Sequence, residues 1–325
     1  MKILSKDELE LAKKELDSGG LVIFPTETVY GLGANAIDAL AVDKIFKAKN
    51  RASNNPLIVH LKNKDEISKY AVINNDVERK LIDTFMPGPF TLILKKKKII
   101  PDNVTCNLDT VGIRVPIDKI ANNLLNLLDY PIAAPSANVS TRPSGTNIYD
   151  IIPEFNDTVN YIIDGGDSKI GLESTVCKVI DGIPTILRPG FITKEDIISV
   201  IGTCNVSKYV MEEAKGKVES PGMLYKHYSP VTKCVLVNQE LLESESAKYH
   251  NPIIIGSSLS QDIPCYKFLN YGDDLVSIAH NIFKLLREVD KLNGEIILIE
   301  AISPIGLGLA IMNRLIRTCE YNYIK

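Results

Sequence analysis

Four cations stand where a soluble chain has little ordinary use for them. Lys49 and Arg51 lie two apart at the end of a helical stretch, Arg114 sits inside the apolar run VGIRVP, and Arg188 closes the strand-like PTILRPG. Alternation along a strand puts Arg114 on the face opposite Ile113 and Val115. An arginine on a half-buried strand needs an anion, either a structural carboxylate or a ligand. Lys49 and Arg51 have a simpler use as complements to a helix C-terminus. Short polar side chains cluster in the same regions. PTETVYGLGANA carries Thr26, Glu27, Thr28 and Tyr30; KNRASNNPLIVH carries Asn55 and His60; PIAAPSANVSTRPSGT carries Ser136, Asn138, Ser140, Ser144 and Thr146; LESTV carries Ser174 and Thr175. No catalytic carboxylate pair or cysteine nucleophile accompanies them. Such a set suits a polyanion, phosphate above all. It would stabilise charge during phosphoryl or nucleotidyl transfer by positioning and electrostatics.

The elements that must position these residues follow from pattern and punctuation. Helices are expected over 7–17, 38–49, 65–85 and 118–129, and the charged N-terminal stretch reads as an amphipathic helix. Strands are expected in LVIFPT, PLIVHL, FTLILK, VGIRVP, PIAAPSAN, YIIDGG, STVCKVI and PTILRPG. Several strands follow one another directly, which favours a mixed α/β sheet over a purely parallel one. The polar clusters fall at strand ends, where α/β folds place their sites. From about 205 to 230 the chain lacks a clear strand. KCVLVN, NPIIIGSS and EIILIEA then alternate with helices near 273–291 and 306–319, a small βαβ unit of Rossmann type. The expected organisation is a first domain over 1–205, a linker over 206–230 and a second domain over 231–325.

Composition narrows the class. The chain has 325 residues, 45% hydrophobic and 24% charged, with a formal net charge of −3, an ordinary soluble profile that favours two domains. The acidic balance argues against a whole-surface nucleic-acid binder; the run Lys95–Lys98 reads as a solvated turn between strands. Six cysteines without a CxxC pair read as reduced, buried thiols in a cytoplasmic protein. The sequence carries no signal peptide and no membrane-spanning run. GxxxxGK[ST], GxSxG and HExxH are missing, and the two GxG fragments at Gly31 and Gly306 are weak signals.

In order along the chain, PTETVYGLGANA, KxR followed by NPLIVH, PGPFTLIL, TVGIRVP, PSAN, ESTV and LRPG closely resemble the YrdC/Sua5 family. GLGLAIMNRL looks like the additional C-terminal domain of the Sua5 form. The resemblance implies a YrdC-like twisted mixed sheet with helices, followed by a smaller Rossmann-like α/β domain. It also implies synthesis of L-threonylcarbamoyladenylate from L-threonine, bicarbonate or CO2, and ATP, with release of pyrophosphate. The product serves threonylcarbamoyl modification of tRNA adenosine 37, performed by a separate transferase complex. Residue by residue, threonine would be held by Thr28, His60, Arg114, the backbone at Ala134, and Ser174. ATP would be held by Lys49, Arg51, Asn55, Thr110, Ser136, Ser144, Arg188 and His227. Lys49, Arg51 and Arg188 would stabilise the leaving pyrophosphate together with Mg2+ carried on ATP oxygens and water, with no protein metal cage. Two departures stand out. Ala52 follows Arg51 where the family often has proline, and STRPSGT replaces the usual SGxxSPT, so Ser144 keeps its place on a loop of different shape.

The resemblance also gives SPGMLYKHYSP, residues 220–230, a role as a lid over the active site, with His227 near the ATP phosphates and Tyr225 or Tyr228 closing the pocket. Such a lid would protect labile intermediates from water. The competing readings are an RNA-binding module without ATP turnover, with at most a weak tRNA contact here, and a carbamoyl-transfer enzyme. The latter would need an acylphosphatase domain and paired zinc-finger cysteines, both missing from this sequence.

Overall fold

A computed structural model describes residues 1–212 and 228–325; Tyr225 and His227 lie outside them. The described strands form two sheets. The first holds β1 (Lys2–Leu4), β2 (Val22–Phe24), β3 (Gly31–Asn35), β4 (Ile58–His60), β5 (Ala71–Val72), β6 (Phe90–Lys96), β7 (Thr110–Arg114), β8 (Ile132–Ala133), β9 (Tyr161–Ile163), β10 (Thr175–Ile180), β11 (Ile183–Arg188) and β12 (Asn205–Val206). Their order is β1-β9-β2-β3-β8-β4-β7-β6-β10-β11-β12, with β5 on β6. Parallel pairs such as β4–β7 and β6–β10 alternate with antiparallel pairs such as β6–β7 and β10–β11, so the sheet is mixed as expected. The second holds β13 (Cys234–Val237), β14 (Pro252–Gly256), β15 (Lys267–Asn270), β16 (Ile296–Glu300) and β17 (Tyr323–Ile324), in the order β15-β14-β16-β13-β17. All its pairings are parallel. PIIIG and IILIE are buried along their whole length, as strands covered on both faces must be.

Three expectations need correction. The N-terminal stretch is not wholly helical: Lys2–Leu4 pairs with Tyr161–Ile163, and the helix is Leu9–Asp17. The helix expected over 65–85 is split. Ala71 and Val72 leave it to pair with Lys96 and Lys95, and a new helix, Asp76–Phe85, starts at the Asn75 cap. A strand does occur after 204, since Asn205 and Val206 extend the first sheet against Thr185 and Ile186. The run Lys95–Lys98 is only partly the solvated turn expected there: Lys95 and Lys96 end β6, paired with Val72 and Ala71, and Lys96 and Lys97 are held by Asp102 and the Ser68 carbonyl.

Local sequence explains how the site elements are aimed. The helix Ala39–Ala48 is capped by Asp38, whose side chain accepts from the backbone N–H of Leu40 and Ala41, and it buries Ala41, Val42, Ile45 and Phe46. It therefore delivers Lys49 inward at its C-cap, and Asn50 then turns the chain with φ +49°. Gly190 follows β11 where β-carbon space is lacking. An added Cβ would lie 2.4 Å from the Thr175 nitrogen and 2.7 Å from the Glu173 carbonyl oxygen. Gly190→Ala should thus cost roughly 1–3 kcal/mol of stability through backbone displacement. A thermal melt unchanged from wild type would contradict that close approach.

Candidate active site

Sheet register gathers the polar residues. β4 and β7 place His60 beside Arg114, and β6 places Thr91 on Arg114's other side. Thr91 Oγ1 lies 2.8 Å from Ser174 Oγ, just ahead of β10. A bridge between Gly31 and Ser136 brings in the loop after β8. Arg188, the last residue of β11, pairs with Val176 across a register shift. These strand ends line one shared pocket, concave and bearing a few convergent polar groups as small-molecule sites do. Thr28, Lys49, Arg51, His60, Arg114, Ala134, Ser136, Ser174, Arg188 and Tyr228 all line it. Asn55, Thr110 and Ser144 are not among its lining residues. Asn55 is buried and its carbonyl accepts from Arg51. Thr110 starts β7 opposite Lys95, and Ser144 Oγ donates to Glu173 Oε1 at 2.6 Å.

The cations divide into two kinds. Arg114 has its carboxylate: Nη2 donates to Glu27 Oε1 at 2.6 Å, and Nη1 donates to Thr28 Oγ1 at 2.9 Å. Yet Arg114 Nε and Glu27 Oε2 are buried without a hydrogen-bond partner among the described residues. Lys49, Arg51 and Arg188 form no ion pair among the described residues. Lys49 Nζ donates to the carbonyls of Ser136 and Asn138. Arg51 donates to the carbonyls of Asn55 and Pro56. Arg188 donates from Nε and Nη2 to the Ser174 carbonyl at 3.1 and 3.0 Å, and from Nη2 to Ser174 Oγ at 3.2 Å. Lys49 and Arg188 are buried, and Arg51 is partly buried. Burial pulls the Arg51 and Arg188 guanidinium groups down to about 10. Burial, with Arg51 nearby, holds the Lys49 ammonium well below its ordinary value. A pocket that keeps three desolvated cations on neutral carbonyls is short of negative charge, and an anionic ligand is the natural remedy.

His60 is a buried neutral imidazole. Burial, and secondarily Arg114, lowers it from 6.5 to about 3, and Nδ1 has no hydrogen-bond partner. The unfolded chain takes up this proton below 6.5 while the folded one resists until about 3, so stability falls as pH drops through that window. Between pH 7 and 5 the loss from this group should be about 2 kcal/mol. Denaturant melts of wild type and His60→Gln at both pH values test this. The variant should lose less than wild type, and equal losses would refute the assignment.

Glu173, Arg314 and Arg287 escaped the sequence reading. Glu173, next to Ser174, lines the pocket and receives Arg314 Nε at 3.0 Å from the helix Leu307–Thr318. Burial pushes its carboxyl up, but Arg314, Arg188 and the Ser144 hydrogen bond outweigh this and hold it below the ordinary value. Arg287, from the helix Leu275–Glu288, donates to the carbonyls of Asp150 and Pro143 and to Glu154 Oε1. Glu154 Oε2 in turn accepts from the Val139 N–H at 2.6 Å, so Arg287 braces the loop that bears Ser136. Tyr228, read as part of a lid, is a buried wall residue stacked on Phe283 with ring centres 5.0 Å apart. Nothing in local sequence pairs Glu173 with Arg314; the GLGLAIMNRL motif that holds Arg314 was the available signal.

A family model described as telomere recombination, covering Sua5, YciO and YrdC, matches residues 14–190. A second, described as the threonylcarbamoyl-AMP synthase C-terminal domain, matches residues 192–319. The chain belongs to the Sua5 family. It is 39% identical to the threonylcarbamoyl-AMP synthase of Pyrococcus abyssi, over 98% of this chain and 96% of that one. It is 36% identical to the Bacillus subtilis protein of the same name, over 99% and 96%. The crystal structure of P. abyssi Sua5 complexed with L-threonine superposes with a TM-score of 0.96 at 37% identity, covering 100% of this chain and 99% of that one. Within this Sua5-family fold the pocket is built mainly on the first sheet, and Tyr228, near the end of the 206–230 stretch, also lines it.

Proposed function

We propose that the chain is an L-threonylcarbamoyladenylate synthase, joining L-threonine, bicarbonate or CO2, and ATP and releasing pyrophosphate. The observation that carries this reading is the single pocket wall shared by Lys49, Arg51 and Arg188, which have no carboxylate partner among the described residues, and by Arg114, whose buried Nε has no hydrogen-bond partner among them. Family membership and the threonine-bound relative support it. Threonine sits at the Thr28, His60, Arg114, Ala134 and Ser174 end, its carboxylate on Arg114. ATP lies along Lys49, Arg51, Ser136 and Arg188. Asn55, Thr110, Ser144, and His227 with Tyr225 from the linker, remain expected contacts at its margins.

The threonine amine adds to CO2, loses a proton and becomes a carbamate. A carbamate oxygen then attacks the α-phosphorus, and the bond to the β-phosphate oxygen breaks with its electron pair leaving on pyrophosphate. The ammonium of Lys49 has three donors, of which two hold Ser136 and Asn138, so one remains for a phosphate oxygen. Arg51 and Arg188 each keep Nη1 free of a hydrogen bond among the described residues. These donors are fixed before the reaction, so developing charge meets them without reorganisation. Mg2+ would ride on ATP oxygens and neutralise phosphate charge. The donor set fits this mode: the described residues offer no cluster of three metal-ligating side chains, and Glu173 is already engaged by Ser144 and Arg314.

The product would supply a transferase complex that modifies adenosine 37 of tRNA, with any direct tRNA contact weak. No described helix is long and apolar enough to cross a membrane, and a cytoplasmic setting is the one this role requires. The test is pyrophosphate release from ATP and magnesium, with L-threonine and bicarbonate each added or withheld. Release that needs both supports the synthase. Release indifferent to threonine indicates another acceptor, and no release from folded protein favours an RNA-binding module.

A further inference from the structure

The structure assigns Arg314, in the C-terminal unit, as a positioning residue that neutralises Glu173 and so keeps Arg188 available to an anionic substrate. Glu173 is a carboxylate in the wall of a pocket that is otherwise cationic. Left alone it would repel a polyphosphate and attract the nearest free guanidinium. Arg188 is that guanidinium: it binds neutral atoms of Ser174, the residue next to Glu173, and lies close enough to depress the Glu173 carboxyl. Arg314 prevents the capture. It is fully buried, gives Nε to Glu173 Oε2 at 3.0 Å and is fixed by Nη1 on the Pro189 carbonyl at 2.7 Å and on Asn313 Oδ1 at 2.8 Å. Ser144 takes the other carboxylate oxygen. Glu173 is thereby satisfied at both oxygens without Arg188. The ionisable groups facing Glu173 are Arg314 from the helix Leu307–Thr318, Arg188 from β11, Lys49 from the end of the helix Ala39–Ala48, and the phenol of Tyr228.

This inference rests on the polyanion reading of the pocket, so its test separates the two by measuring binding as well as turnover. Calorimetry with magnesium and ATP as probe is run on the full chain, on Arg314→Met, on Arg314→Lys and on the double variant Glu173→Gln/Arg314→Met, with a thermal melt of each. Arg314→Met should bind ATP at least tenfold more weakly because Glu173 now takes Arg188. Its threonine KM should change little. Arg314→Lys should recover part of the loss by restoring the charge. The double variant should bind ATP nearly as well as wild type, since Glu173 then carries no charge to attract Arg188. A double variant as weak as Arg314→Met, in folded protein, would overturn the assignment and make Arg314 a packing residue. If Arg314→Met fails to fold, a double variant with wild-type ATP affinity still supports the proposal and one with weak affinity still overturns it. Wild type that binds ATP but releases no pyrophosphate would remove the synthase reading and leave the charge relation intact.

Discussion

Replacing Arg114 with methionine should raise the threonine KM for pyrophosphate release roughly 10²- to 10³-fold, the scale of breaking a buried pair and leaving its partner uncompensated. The ATP KM should move far less. Two effects contribute, and they separate. Glu27 would lose its 2.6 Å partner, which is a cost to folding. Threonine would lose the guanidinium whose Nε is buried and unpartnered among the described residues, which is a cost to binding. The double variant Arg114→Met/Glu27→Gln removes the first cost and keeps the second. It should melt closer to wild type than Arg114→Met does and still fail to use threonine. If it regains normal threonine use, Arg114 serves Glu27 alone.

Lys49→Met should lower kcat about 10²- to 10³-fold, the usual effect of removing one preorganised donor from a site of developing negative charge. Arginine should not rescue it. Lys49 is 1% exposed, and a planar guanidinium needs room and donor geometry that a compact ammonium does not. The protonation of Lys49 supplies a second readout. Burial holds its ammonium low, and a bound polyanion favours the charged form and raises it. ATP binding should therefore take up protons, increasingly so toward alkaline pH. Calorimetry in buffers of different ionisation heat measures that uptake, which Lys49→Met should lose. Uptake equal in both proteins would place the titrating group elsewhere.

The cationic half of the site was legible because charge in an apolar context is costly. Arg114 inside VGIRVP demanded an anion, and the structure shows one carboxylate, Glu27, against it; Lys49 and Arg51 could be read as complements to a helix C-terminus, and only their grouping with the other cations pointed to a polyanion. The mixed first sheet and the βαβ unit after it were also legible, since strands followed strands before 190 and alternated with helices after 230. Long-range pairing was not. Glu173 and Arg314 are 141 positions apart, and no local spacing says which carboxylate meets which guanidinium. Short elements failed for a related reason. Ala71 and Val72 become a strand only because the edge of β6 is there to receive them. The helix Ile148–Phe155, for which no expectation was given, contains Pro153 in its interior, a residue that interrupts helical hydrogen bonding. The helix Lys194–Ile201 did announce itself through the Thr193–Asp196 capping box, a signal overshadowed by the neighbouring strands.

The three cations held on backbone carbonyls also bear on what happens after the chemistry. Their charge is no better balanced once the adenylate has formed, so the departing pyrophosphate keeps the same attractions that drew in the triphosphate. Pyrophosphate that builds up should therefore rebind and inhibit turnover. The enzyme would run fastest where a phosphatase clears pyrophosphate, and inorganic phosphate in a buffer would act as a competitor by mass action.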